Sequence, residues 1–332
     1  MAFFQDIAVN PFLLSGLWAG LLASLACGLI GPYVVTRRIV FLAGAIAHIA
    51  VGGLGATIYL KHLAPESLAW LRPLHGAMAV SVLSALLLAR LEPATGRAAS
   101  DRPALSSDTV IGALWAIGMS IGILLIKLTP GYYTELMSYL FGNLAYVAWS
   151  DIYLMLALDA VIVVTVLLFQ KRFFALCLDP EQARLQGVSV RQTHAVLLVL
   201  VALTVITLTQ VVGLILVIAL LSLPAATASL LVRRLPAMMV LSVLLATLLT
   251  TLPRIAVYGT RISPEPAIVL ASGGLFLLAA AYHRWRNQRQ FSDDAVEIPA
   301  APAPASGAPV GESLAGVATT GPALAGEAPE TR

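Results

Sequence analysis

The feature that most limits what this chain can fold into is a series of apolar runs of membrane-spanning length, beginning near Phe12 and recurring as far as Tyr282. A run of about 17 to 25 mostly apolar residues crosses the hydrocarbon core as a helix, because a backbone away from water must satisfy its own hydrogen bonds. Such runs fall near Phe12 to Ile30, Ile39 to Leu60, Pro73 to Ala89, Thr109 to Lys127, Ala145 to Phe169, Thr193 to Leu208, Val211 to Val232, Pro236 to Leu252 and Pro266 to Tyr282. The expected fold is an all-α, polytopic transmembrane helix bundle of eight or nine spans. The count turns on Thr209, Gln210 and Val211, a junction so short that its flanking segments form either two crossings or one re-entrant hairpin. Composition agrees: of 332 residues, 59% are hydrophobic and 11% charged, which excludes an ordinary soluble domain. Cys27 and Cys177 have no metal-ligand spacing and read as packing residues.

Of the 20 Lys and Arg residues, Lys61, Arg72, Lys127, Arg254 and Arg261 fall on one side of this arrangement and the other fifteen on the opposite side. Positively charged loops stay in the cytoplasm, so the N-terminus is expected outside and Arg37-Arg38, Lys171-Arg172 and Arg233-Arg234 inside. The inner side also carries a polar island, Phe173 to Arg191. There Asp179 suits an N-cap, Pro180 the first helical position, Glu181 the first turn, and Gly187 a stop about two turns later. A loop that only joins two spans needs no built helix, so this short cytoplasmic helix reads as a surface that a partner grips. From Gln288 the composition turns to Ala, Pro, Gly, Ser and Glu. The expected division is a transmembrane region over 1–287 and a disordered cytoplasmic tail over 288–332.

Within the spans a few residues stand out. Gly16 with Gly20, and Gly118 with Gly122, have small-xxx-small spacing. Gly52, Gly53 and Gly55 weaken a helix and predict a bend or a very close neighbour, and Pro224 predicts a kink. Asp159 lies inside the fifth run, where an ionisable group is costly enough to be functional by default; the alternative is a carboxyl bonded to a neighbouring helix. Counted at 1.5 Å per residue, Asp159 is about 18 Å from the outer face and His48 about 16 Å. The two are expected to meet across the bundle in a transient ion site. Asp151, at the outer end of that run, holds a gate or solvates a helix end. The outer cations suit acidic groups on a partner, or they snorkel. His194 and His283 are placed at the inner interface.

Four blocks follow one another along the chain: Arg37 to His48 (RRIVFLAGAIAH), Ser138 to Leu144 (SYLFGNL), Asp179 to Val188 (DPEQARLQGV) and Val212 to Ala228 (VGLILVIALLSLPAATA). In this order the sequence resembles the permease family of ABC importers for zinc, manganese and iron, over roughly Phe12 to Tyr282. The resemblance implies a homodimeric or pseudo-dimeric pore in the bacterial cytoplasmic (inner) membrane, two cytoplasmic ABC ATPase subunits, and an extracytoplasmic metal-binding protein. It gives Asp179, Pro180, Glu181, Ala183 and Gly187 the role of docking into the ATPase, and places Pro224 on the translocation path as a pivot. The chain has no GxxxxGK[ST] phosphate loop, so ATP is expected to be used by a partner subunit. No permanently bound cofactor is implied, the divalent ion being cargo, and no nucleic acid. Two departures stand out: the family Asp four residues before His48 falls at Gly44, and its Asp-x-Pro-x-Gly before the last span reads Ile262-Ser263-Pro264-Glu265-Pro266-Ala267. They keep two alternatives open, a permease for a metal chelate such as a siderophore or corrinoid, and a gradient-driven secondary transporter with Asp159 as proton relay.

Overall fold

The computed structural model describes residues 6, 10–68, 70–91, 107–130, 142, 147–260 and 263–296. Among these residues there is no strand, and the helices are α1 (Pro11–Thr36), α2 (Val40–Leu63), α3 (Pro73–Leu91), α4 (Ser107–Lys127), α5 (Trp149–Leu178), α6 (Pro180–Leu185), α7 (Val190–Val212), α8 (Leu214–Leu231), α9 (Leu235–Ala256) and α10 (Pro264–Val296). All but α6 are long and apolar enough to cross a membrane, which makes nine candidate spans among the described residues. The chain is an all-α polytopic bundle.

Several helices outrun their apolar windows, because a helix continues until a cap or a breaker stops it and not where the bilayer ends. The 30 residues of α5 extend about 45 Å, well beyond a core of about 30 Å. The doubtful junction resolves into two helices, and the break falls at Gly213 (φ +86°) and not at Thr209–Val211. Those polar residues stay helical because Thr209 donates its hydroxyl to the Val205 carbonyl at 2.5 Å and Thr207 donates to Leu203 at 2.8 Å. With its hydroxyls satisfied within the turn, the segment has no reason to open, whereas glycine tolerates the positive φ.

In the packing, α7 is central, touching α1, α2, α3, α5 and α8. To one side α2 lies between α3 and α4; to the other, α1 holds α5, α8 and α9. The glycine cluster explains the first group. A Cβ on Gly52 would stand 2.7 Å from the Gly118 carbonyl oxygen, while Gly53 lies against the Gly76 carbonyl and Gly55 against that of Gly122. The expected close neighbour is thus two neighbours, and α2 runs unbroken between them. On the other side Gly31 of α1 abuts α8, where a Cβ would meet the Leu221 carbonyl oxygen at 2.5 Å. Pro32 and Pro224 lie inside α1 and α8 near that crossing, and both helices continue through them.

Contacts divide the chain into Met1–Arg286 and Asn287–Arg332. Of the second unit, residues 287–296 are helical, and the remainder of the expected tail lies outside the described residues.

Candidate functional site

His48 sits on α2, half-buried, with its ring 4.4 Å from that of Trp115 on α4. Phe41 meets the same indole at a tilt of 55°, with centroids 5.5 Å apart. The imidazole Nδ1 is 2.8 Å from the Gly44 carbonyl oxygen, one turn back. A carbonyl only accepts, so Nδ1 carries the proton, and in the neutral ring Nε2 is left with its lone pair. Histidine ligands of metals are commonly oriented in this way, through a backbone carbonyl on the other ring nitrogen. At Gly44, where the family resemblance expects a carboxylate, a Cβ would have the Ile218 methyl at 3.8 Å, an ordinary contact. The position has room for a side chain that faces α8.

His75 is held the other way round. Its Nδ1 accepts the Arg72 backbone N–H at 3.1 Å, so in the neutral ring Nε2 bears the proton and cannot ligate. With Arg72, Asp151 and Gln210 it lines a cavity of about 510 Å³ where α3, α5 and α7 end together. Asp151 is half-buried in the first turn of α5, where the helix dipole favours a carboxylate.

Asp159 is buried on α5 at 4% exposure, and its Oδ2 has no hydrogen-bond partner among the described residues. The expected meeting with His48 does not occur within one chain. The helix α2 packs on α3, α4, α7 and α8, whereas α5 packs on α1, α6 and α7, and the two share no interface. A depth counted along each span carries no information on azimuth, which the tertiary packing sets. One further residue differs from expectation. Arg254 is buried, its Nη2 3.5 Å from the Leu13 carbonyl, so it offers no cation to a docking partner. His194, five residues into α7, is shielded by neighbouring helices at 2% exposure.

The short helix α6 forms where the capping residues place it. Asp179 Oδ1 accepts the backbone N–H of Glu181 at 2.8 Å and of Gln182 at 3.3 Å, and Pro180 occupies the first position. At the other end Gly187 (φ +80°) closes a Schellman turn, with Val188 N–H donating to the Ala183 carbonyl and Gly187 N–H to that of Arg184, both at 3.0 Å. Ala183 is buried at 1% exposure while Leu185 is 88% exposed, an apolar side chain outside any span. The base of this helix is anchored. Phe173 of α5 meets Tyr33 of α1 with ring centroids 5.4 Å apart, and Arg37 Nη1 donates to the Leu176 carbonyl at 3.3 Å. Arg37 and Trp115 are the contributors that sequence reasoning missed. In the sequence Arg37 is an orientation charge and the head of a family-like block, with no sign of its bond to α5, and Trp115 carries no signal beyond lying in an apolar run.

Of the block Ser138 to Leu144, only Gly142 (φ +74°) is described. It packs against the Val212 carbonyl beside the α7–α8 break, bringing together two of the four blocks. The rest of that block, with Arg97, Arg102, Arg261, Ile262 and Arg332, lies outside the described residues.

Comparison with known proteins adds the lineage. The chain is 38% identical over 273 residues to an uncharacterised membrane protein of Synechocystis, covering 82% of this chain and 91% of the other. It is 32% identical over 277 residues to a protein of Chlamydia trachomatis described as a probable metal transport system membrane protein, covering 83% and 91%. Among solved structures, PsaBC from Streptococcus pneumoniae, solved in complex with Fab, superposes with a TM-score of 0.71 at 26% identity, covering 84% of this chain and 94% of that one. The profile of the ABC 3 transport family matches residues 9–283, and with the helix order, the glycine-lined seams and the capped α6 in place, this chain belongs to that family of membrane transport permeases.

Proposed function

We propose that the chain is the transmembrane subunit of an ATP-driven importer of divalent metal ions, with zinc, manganese and ferrous iron as the candidate cargoes. The observation that carries this reading is His48, half-buried and locked by the Gly44 carbonyl so that Nε2 presents a lone pair. A single imidazole holds a divalent ion weakly, and weak ligation suits transport, because a closed four-ligand site retains zinc. An extracytoplasmic binding protein delivers the ion at the end of the bundle that carries the Asp151 cavity. Two cytoplasmic ATPase subunits grip α6, with Leu185 as the apolar anchor and Ala183 fixing the helix to the bundle. Arg37 and Tyr33 pass the displacement of α6 into α1, whose crossing with α8 at Gly31 and Pro224 serves as the pivot.

The test is uptake into proteoliposomes containing the ATPase and binding protein, offered zinc, manganese, ferrous iron or a ferric chelate, for the native chain and His48→Ala. Loss of ATP-dependent free-ion uptake with the complex still assembled is expected. The missing carboxylate at Gly44 leaves one second reading, a chelated cargo that needs no single-ion ligands; uptake of the chelate alone, indifferent to His48→Ala, would establish that instead. Uptake without ATP would overturn the energy source.

A further inference from the structure

A furrow of about 330 Å³ opens along α1, floored by Leu29 and bounded by Gln170 of α5 and by Pro236, Met239, Val240 and Leu244 of α9. It exists because α1 packs against both α5 and α9 while those two form no interface with each other. Close apposition of α1 and α9 deepens it, for a Cβ on Gly28 would overlap the Val243 backbone. From Pro236 to Leu244 the furrow runs about 12 Å along α9 at 1.5 Å per residue. Its lining is apolar except for one side chain, Gln170.

The mouth is basic. Lys171 follows Gln170, and Arg233 and Arg234 precede Pro236; all three cations are exposed. No side chain caps the N-terminus of α9, whose N-cap residue is Arg234 itself. Uncapped N–H groups and aligned peptide dipoles at such an end attract phosphate. A bare acyl chain needs no cations, and a soluble anion needs no furrow. Together the features fit one occupant, and we propose that the furrow binds a single anionic phospholipid, its acyl chain lying along α9 and its phosphate held by Arg233, Arg234 and Lys171. Basic pockets between spans recognise anionic headgroups in this way. The inference is independent of what the permease carries.

Native mass spectrometry of the full-length chain released from nanodiscs checks it, comparing phosphatidylglycerol with phosphatidylcholine. The native chain should retain phosphatidylglycerol preferentially. Arg233→Gln with Arg234→Gln should reduce that retention by roughly thirtyfold, at the usual contribution of a juxtamembrane cation. Val240→Trp, which fills the furrow without altering charge, should reduce it as well. Equal retention of the two lipids, or undiminished phosphatidylglycerol retention by Val240→Trp, overturns the proposal. So does efficient disulfide bridging between Val240→Cys chains in membranes, which would assign the furrow to a second copy.

Discussion

At Gly44 the chain lacks the carboxylate that its family resemblance leads one to expect, yet it keeps the geometry around the vacancy. The residue four positions on, His48, points its protonated Nδ1 at the Gly44 carbonyl, and the space beyond the Gly44 Cα is bounded by Ile218 at ordinary contact distance. An Asp there would lie one turn from the open Nε2 on the same helix face, the spacing at which two side chains meet. Gly44→Asp is therefore expected to tighten ion binding and slow release. In the reconstituted system the apparent affinity for zinc or manganese should rise about tenfold, equivalent to about 1.4 kcal/mol, while maximal uptake falls; unchanged binding by isothermal calorimetry would place position 44 off the path. His48 was legible as the histidine of an apolar run, and position 44 through the family resemblance that places an Asp one turn before it. The partners that give them meaning were not: Trp115 is distant in sequence, and only packing brings its ring to His48.

Elements show the same division between local and tertiary information. The helix α6 was legible residue by residue because caps are local, and Asp179 and Gly187 act where their chemistry predicts. Nothing local indicates that Ala183 would be buried and Leu185 exposed, since a six-residue helix has no periodic stripe long enough to read. That exposure makes Leu185 the side chain to change: Leu185→Asp should leave the thermal midpoint of the isolated permease unaltered and weaken ATPase association about tenfold or more, as loss of an interface anchor does. Pull-down of the ATPase measures the effect. For α2 the three glycines gave the close approach, and the structure supplies its direction, toward α3 and α4 at once. Gly53→Val forces a branched side chain into the Gly76 carbonyl and Val80. It should destabilise the bundle by about 2 kcal/mol, the usual scale of overpacking, and lower the melting temperature in detergent. Gly112→Ala on α4, with nothing within 4 Å of the added methyl, should be neutral or slightly stabilising because alanine favours the helix.

At the scale of the whole molecule, the proposed ion path has only His48 as a candidate donor from the described residues of one chain. Among the described residues no three His, Cys, Asp or Glu side chains come together to hold a metal. Asp159, the only carboxyl buried deep in the spans among those residues, is on another interface. His48 is half-buried beside Phe41, which is 48% exposed on the same face of α2. The missing donors are then best supplied by a second copy across a two-fold axis, where an isologous contact brings each His48 into the same pore. Co-expression of native and His48→Ala chains in equal amounts tests this, because random pairing leaves about a quarter of the dimers with two native copies. If both imidazoles are needed, uptake per chain should fall to about a quarter of the native value, which is the expected result. A fall to about one half would mean that each chain carries ions through its own bundle, and about three quarters that one imidazole per dimer suffices. About one half would remove the reason for placing the pore on the dyad and return the search for His48's co-ligands to α4 and α8 of the same chain, whereas about three quarters would keep the shared pore and overturn only the need for a second imidazole.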